Sequence, residues 1–177
     1  MTTPKPPSQP GCVWVEKCIE VCTARSVYVE DRGVRATFFN PRHLQVRKIH
    51  YDGCYVARDE EVKQADYIVG LPGSIDVIVE LKGSDTNIKY AAQQIENTLQ
   101  AWRQDQNAAV VVAALIVYGR IEGKKKLPGR HPRAEAVISG LIADFLKNPK
   151  IKILLVIKEN GKRQFRFNDF RRKSDVH

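Results

Sequence analysis

"QADYIVGLPGSIDVIVELKG", residues 64–83, decides how this chain is read. Two apolar runs flank Pro72-Gly73-Ser74, a link so short that the runs must be antiparallel neighbours. The second run alternates. Ile75, Val77, Val79 and Leu81 fall on one face of a strand, and Asp76, Glu80 and Lys82 on the other, where Ile78 interrupts them. A carboxylate in so apolar a strand is costly to bury alone, so Glu80 is expected to be paired or to bind a cation. Lys82 lies about 7 Å further along the same face. Positions 66 and 80 are symmetric about residue 73, so the hairpin brings Asp66 level with Glu80. Two carboxylates within reach of each other suit a hard divalent cation such as Mg²⁺. A lysine beside them can orient or activate a water, or neutralise charge developing on a phosphate.

Outward from this hairpin, 44–57 alternates and reads as an adjoining strand. It carries His50 and Asp52 on one face, and Asp52 is either a third metal-binding acid or a turn former before Gly53. Residues 26–39 read as a hairpin around "EDRG". Residues 12–22 allow a strand or a short helix. After "ELKG", Ser84 or Asp85 can cap a helix running to about Gln104, with Ile88, Ala91, Ala92, Ile95, Leu99 and Trp102 at helical spacing. A buried strand is expected over 108–121, an amphipathic helix over 134–148, and a closing hairpin over 152–167 turning at Asn160-Gly161. This order predicts an α/β domain with a central mixed sheet flanked by helices.

The chain has 177 residues, enough for one domain with a core of its own. We expect a flexible Pro-rich tail over 1–11, a single domain over 12–170 and a basic tail over 171–177. The start lacks the apolar stretch of a signal peptide, and no apolar run reaches the roughly 18 residues of a membrane span, so a cytoplasmic location is expected. There Cys12, Cys18, Cys22 and Cys54 would stay reduced. They read as small buried hydrophobes, with a zinc site built on these four cysteines, or on Cys54 with His43 and His50, as the rival. The net charge of +9 favours a polyanionic partner, of which nucleic acid is the commonest.

Asp66, then thirteen residues, then Glu80-Leu81-Lys82 resembles the PD-(D/E)XK nuclease superfamily, restriction-endonuclease-like proteins among which small bacterial members carry similar "ELKGSD" and "AAQQIENT" strings. The resemblance spans about 80 residues. It implies an αβββαβ core. It implies that Asp66, Glu80 and the Leu81 carbonyl, with Asp52, hold Mg²⁺ or Mn²⁺ while Lys82 assists the attacking water. A glutamine on the following helix faces the site in related nucleases, which singles out Gln94; Gln93 points about 100° away. The N-terminal helix of that core often brings a glutamate, for which Glu16 and Glu20 are the candidates. Asp76, nearer the turn, reads as a rim acid. Ala65 stands where the superfamily often has proline. Because many such nucleases pair to cut two strands, a homodimer joins the expectations.

Arg120, Lys124, Lys125, Lys126, Arg130 and Arg133 form a basic group suited to a phosphate backbone, or simply a solvated loop. In "RQFRFNDFRRK" the aromatics either stack on bases or fill a strand face. The sequence thus predicts a Mg²⁺-dependent nuclease, with DNA favoured over RNA. The alternative is a nucleic-acid-binding or partner-binding module of the same fold without turnover.

Overall fold

Valine, isoleucine and aromatic residues at alternate positions build ten strands in this computed structural model, which describes residues 8–58, 61–83, 88–119, 154–158 and 164–170. In chain order these are β1 (Cys12–Glu16), β2 (Ile19–Cys22), β3 (Ser26–Asp31), β4 (Val34–Phe39), β5 (Val46–His50), β6 (Tyr67–Leu71), β7 (Ile75–Lys82), β8 (Val111–Tyr118), β9 (Leu154–Lys158) and β10 (Gln164–Phe165). The helix α1 (Ile88–Trp102) connects β7 to β8, and a 3-10 turn, Phe167–Phe170, follows β10. Seven strands form one sheet in the order β1-β2-β5-β6-β7-β8-β9, and β10-β4-β3 form a second. The large sheet is antiparallel from β1 to β7, then parallel through β8 and β9.

The β6–β7 hairpin has the expected register. Tyr67 pairs with Val79 and Leu71 with Ile75, so the residue before β6, Asp66, stands opposite Glu80. Gly73 takes a left-handed φ of 74° at the turn, a conformation glycine adopts without steric cost. The two faces of β7 enter different cores. Ile75, Val77, Val79 and Leu81 pack with Val27, Val29, Ala36 and Phe38 of the small sheet. Ile78 packs with Ile68 and, from α1, with Ala91, Ala92, Ile95, Leu99 and Trp102. With a layer on each side, β7 is buried along nearly its whole length.

This architecture corrects the expected fold class. The described residues are mostly β, with two sheets and a single α-helix, rather than an α/β restriction-endonuclease-like core with helices on both faces. The face opposite α1 is taken by the β3–β4 hairpin, whose buried Val27, Val29, Val34, Ala36 and Phe38 leave no room for a helix there. Residues 12–22 fold as an antiparallel pair, so they supply no N-terminal helix. The expected strand over 44–57 stops at His50. Gly53 then takes a φ of 72° and a bridge between Asp52 and Val56 closes the turn.

The closing hairpin over 152–167 is also corrected. β9 joins β8 in the large sheet, whereas β10 pairs in parallel with β4 in the small one. Phe165, Phe167 and Phe170 gather around Phe38, and burying that aromatic group draws β10 away from β9. These rings therefore fill a core and do not form a stacking surface for bases. α1 ends at Trp102, slightly short of the predicted end. The helix predicted over 134–148 lies outside the described residues.

The cysteines are paired as Cys12–Cys22, across β1 and β2, and as Cys18–Cys54, which ties the β1–β2 turn to the loop after β5. Free thiols and a four-cysteine zinc cluster are thereby replaced by two covalent links. At the N-terminus Gln9 is buried, donating to the Ser26 carbonyl at 2.8 Å and accepting from Tyr28 N–H at 2.8 Å. No helix among the described residues is long and apolar enough to cross a membrane.

Candidate functional site

The hairpin register puts Asp66 and Glu80 side by side, and the carboxylate of each accepts from a backbone N–H of the opposing segment. Asp66 N–H donates to Glu80 Oε2 at 3.0 Å, and Leu81 N–H donates to Asp66 Oδ2 at 2.9 Å. Glu80 is wholly buried. The Lys82 ammonium lies against Glu80 Oε1, an atom with no well-formed hydrogen bond among the described residues. Lys82 also donates to Gln94 Oε1 at 2.6 Å.

α1 fixes this arrangement from above through the polar stripe along its inner face. Gln94 Nε2 donates to the Gln64 carbonyl at 2.7 Å, and Asn97 Nδ2 to the Lys63 carbonyl at 2.9 Å. Thr98 Oγ1 accepts from Ala65 N–H at 2.7 Å and donates to Gln64 Oε1 at 2.9 Å. The helix thus grips residues 63–65, immediately before Asp66, with side chains one turn apart. Gln94 is buried and joins that grip to Lys82, whereas Gln93 is exposed.

Burial and crowding of like charge set the electrostatics. Burial, followed by repulsion from Asp66, pushes the Glu80 carboxyl up to about 8 against the opposing pull of Lys82. Burial pushes Asp66 up to about 6; Leu81 N–H opposes this, and the charges of Asp31 and Asp52 add to it. Two acids with one ammonium leave a deficit of positive charge. A bound cation would reverse both shifts, because it favours the ionised carboxylates.

The residues present fit a hard divalent ion. All candidate donors are oxygens, as Mg²⁺ and Mn²⁺ prefer. Besides Glu80 Oε1, the buried Asp52 Oδ1 also has no hydrogen-bond partner among the described residues. Asp52 Oδ2 faces Arg58 at 3.7 Å. Tyr51 N–H donates to the Asp66 carbonyl at 2.9 Å, bringing the Asp52 loop alongside Asp66. Asp66 and Glu80 would hold the ion, with the Leu81 peptide flanking Asp66; Asp52 does not gather with them into a group of three acids whose ligand atoms lie within 4.8 Å of one another.

Other sequence-derived candidates fall elsewhere. Asp76 is no rim acid. It is fully buried and accepts from Trp102 Nε1 at 2.9 Å, Ala109 N–H at 2.7 Å and Arg47 Nη2 at 3.1 Å. Its place is structural, tying the end of α1 and the start of β8 to the sheet. Glu16 is exposed, and Glu20 lies on the opposite face of the large sheet. His43 binds the Thr23 carbonyl, apart from Cys54. Arg120, Lys124, Lys125, Lys126, Arg130 and Arg133 lie outside the described residues. Sequence reasoning missed Asp31, Gln64 and Thr98. Only Thr98 had a readable signal, one turn beyond Gln94 on the same helix face.

Comparison with known proteins returns no matching family model, curated protein or solved structure, so the site's own residues carry the functional reading.

Proposed function

We propose that this chain is a metal-dependent nuclease that hydrolyses phosphodiester bonds, with DNA as the favoured substrate, through a PD-(D/E)XK-like site. One observation carries the reading: two interlocked carboxylates, the fully buried Glu80 and the half-buried Asp66, stand together with one ammonium among the described residues, Lys82, to balance them. Such a pair is unfavourable in a metal-free protein unless it keeps a proton, and that cost suits a binding site better than a scaffold. The proposal rests on this site and not on the fold, since a fold alone does not specify chemistry.

In this mechanism Asp66 and Glu80 would hold Mg²⁺ or Mn²⁺, with Asp52 adding negative charge nearby. When bound, the ion supplies the positive charge that acidifies water and stabilises a phosphorane-like transition state. A cation held there would favour the ionised form of both carboxylates, against the burial that raises them. The Lys82 ammonium, steered by Gln94, donates to the attacking water or to a non-bridging phosphate oxygen. The Gln64–Thr98–Gln94 network holds Asp66 and Lys82 at fixed separation, so little reorganisation accompanies the reaction. The net charge of +9 supports a nucleic-acid substrate through long-range attraction.

A cytoplasmic location goes with this substrate. The two disulfides favour an oxidising compartment instead, and a thiol count on chain isolated from its host under alkylating conditions decides between them. A homodimer would bring two such sites to a duplex, and sedimentation with and without DNA tests that arrangement. The activity itself is tested on linear, circular and single-stranded DNA and on RNA, with and without Mg²⁺ and Mn²⁺. Cleavage by the wild-type chain that needs metal and is lost in Glu80→Ala supports the reading. Binding without cleavage in every arm leaves a nucleic-acid-binding module and overturns the nuclease.

A further inference from the structure

The second buried polar cluster of the large sheet has no part in that reaction. β1 and β2 are paired so that Cys12 stands opposite Cys22 and Trp14 opposite Glu20. The alternation of the strands therefore puts Cys12, Cys22 and Glu20 on one face. All three are buried, and a ligand atom from each lies within 4.8 Å of the other two. Glu20 Oε1 meets His50 Nε2 at 3.1 Å, while Oε2 meets Lys48 Nζ at 3.1 Å and Ser8 Oγ at 2.6 Å.

We propose that when Cys12 and Cys22 are reduced, their thiolates and a Glu20 carboxylate oxygen form a zinc site that replaces the disulfide, with His50 steadying the Glu20 carboxylate. Two sulfurs and one oxygen, with a water in the fourth place, make a donor set that zinc takes tetrahedrally, with bonds of about 2.0–2.3 Å. Tetrahedral bonds of that length separate ligand atoms by about 3.3–3.8 Å. The three protein ligand atoms already lie within 4.8 Å of one another, and the sulfurs, once the bond between them is broken, rotate apart toward this spacing. Charge balances as well. Two thiolates and a carboxylate around Zn²⁺ leave one negative charge, and the buried Lys48 ammonium beside Glu20 Oε2 neutralises it. β1 is the outer strand of its sheet, so local opening there gives the ion access. The Asp66–Glu80 site contains no sulfur and favours a harder ion, so the two sites select different metals.

The exchange balances without an enzyme. A phosphine and water reduce the disulfide to two thiols and leave the phosphine oxide. Zinc then displaces the thiol protons. In the reverse direction an external disulfide takes two electrons from the bound thiolates, two protons complete its reduction to thiols, and Zn²⁺ departs. The same cysteine pair would thus fasten β1 to β2 in an oxidising or a reducing environment.

The test is a Co²⁺ titration of the full chain, oxidised or reduced by a phosphine that is then removed by desalting. We expect the reduced chain to bind one Co²⁺ with the near-ultraviolet thiolate charge-transfer band and visible bands of a tetrahedral ion, and zinc to bleach both. The oxidised chain should give neither. The Cys18→Ser/Cys54→Ser variant should keep the spectrum, and Cys12→Ser should lose the two-thiolate band. Glu20→Gln and His50→Ala should each weaken binding roughly tenfold or more, with circular dichroism reporting whether the variants fold. Absence of the band in reduced wild-type chain overturns the proposal, and needs no variant. So does an undiminished band in Cys12→Ser, or its loss in Cys18→Ser/Cys54→Ser when that variant is folded. Because the band reports thiolate ligands only, these outcomes are independent of whether the chain cleaves nucleic acid.

Discussion

Glu20 and Glu80 are both fully buried glutamates on the large sheet, one on each face, and their surroundings drive them in opposite directions. Burial pushes Glu20 up, but hydrogen bonds from His50 and Ser8 and the charge of Lys48 outweigh it and bring the carboxyl to about 2. Burial and the neighbouring Asp66 take Glu80 to about 8, with Lys82 only partly offsetting them. Depth in the protein is therefore not what separates the two clusters. The difference lies in the partners: Glu20 meets two basic side chains and a hydroxyl, whereas Glu80 meets one lysine and another acid. In the disulfide-linked chain the first arrangement braces the structure, and the second is left short of positive charge.

The contrast is easiest to break at the acid pair. Glu80→Gln should lower metal-dependent cleavage about a thousandfold or more, since charge stabilisation by a held metal contributes several kcal/mol and each decade of rate is 1.36 kcal/mol. A loss below tenfold in steady-state cleavage would remove Glu80 from the reaction. Next comes the other face. Lys48→Met leaves Glu20 short of a buried countercharge and should cost about 3–5 kcal/mol in urea unfolding at pH 7, whereas Glu20→Leu/Lys48→Met should recover most of that loss.

At pH 8 without metal, Glu80→Gln should do the reverse and stabilise the chain by roughly 2–4 kcal/mol. The sign follows from linkage. The folded Glu80 keeps its proton up to about 8, while the unfolded chain releases it near 4.5. Between those values the folded state binds more protons, so stability falls as pH rises, and Asp66 adds to the fall between about 4 and 6. Glu20 has the opposite sign. Its contribution is complete above about 4.5 and is lost as pH falls toward about 2. Thermal melts from pH 4.5 to 8 in a chelator should slope downward in wild type, with a shallower slope in Glu80→Gln and a raised curve when Mg²⁺ is added. The smallest effect is expected from Gln94→Ala, which frees Lys82 and should slow cleavage about tenfold with little change in stability. A shift of its pH–rate profile would show that the change acts through Lys82.

Much of the acid pair was legible because a three-residue turn leaves only one register, and that register matches Asp66 to Glu80 by counting. α1 was legible from its periodic apolar residues. The faces of β7 were also read correctly, but what covers them was not. Val27, Val29, Ala36 and Phe38 alternate as any half-buried hairpin would, and nothing local says that they close over Val77 and Val79. β10 was misread for a related reason, since its parallel pairing with β4 spans more than a hundred residues and leaves no local pattern. Asp76 looked like a rim acid because its partners Arg47, Trp102 and Ala109 are distant in sequence. The disulfides were unreadable because four cysteines allow three pairings, and the choice depends on which strands are neighbours.

The proposed nuclease depends on Asp66 and Glu80 together forming a cation site. Isothermal titration of the oxidised chain with Mn²⁺ at pH 6 and pH 8 tests it most directly. Binding should tighten at pH 8, where the acid pair gives up its proton more readily, and should be lost in Asp66→Asn and in Glu80→Gln but kept in Glu20→Gln. No binding at pH 8, or equal affinity in wild type, Asp66→Asn and Glu80→Gln, would contradict it.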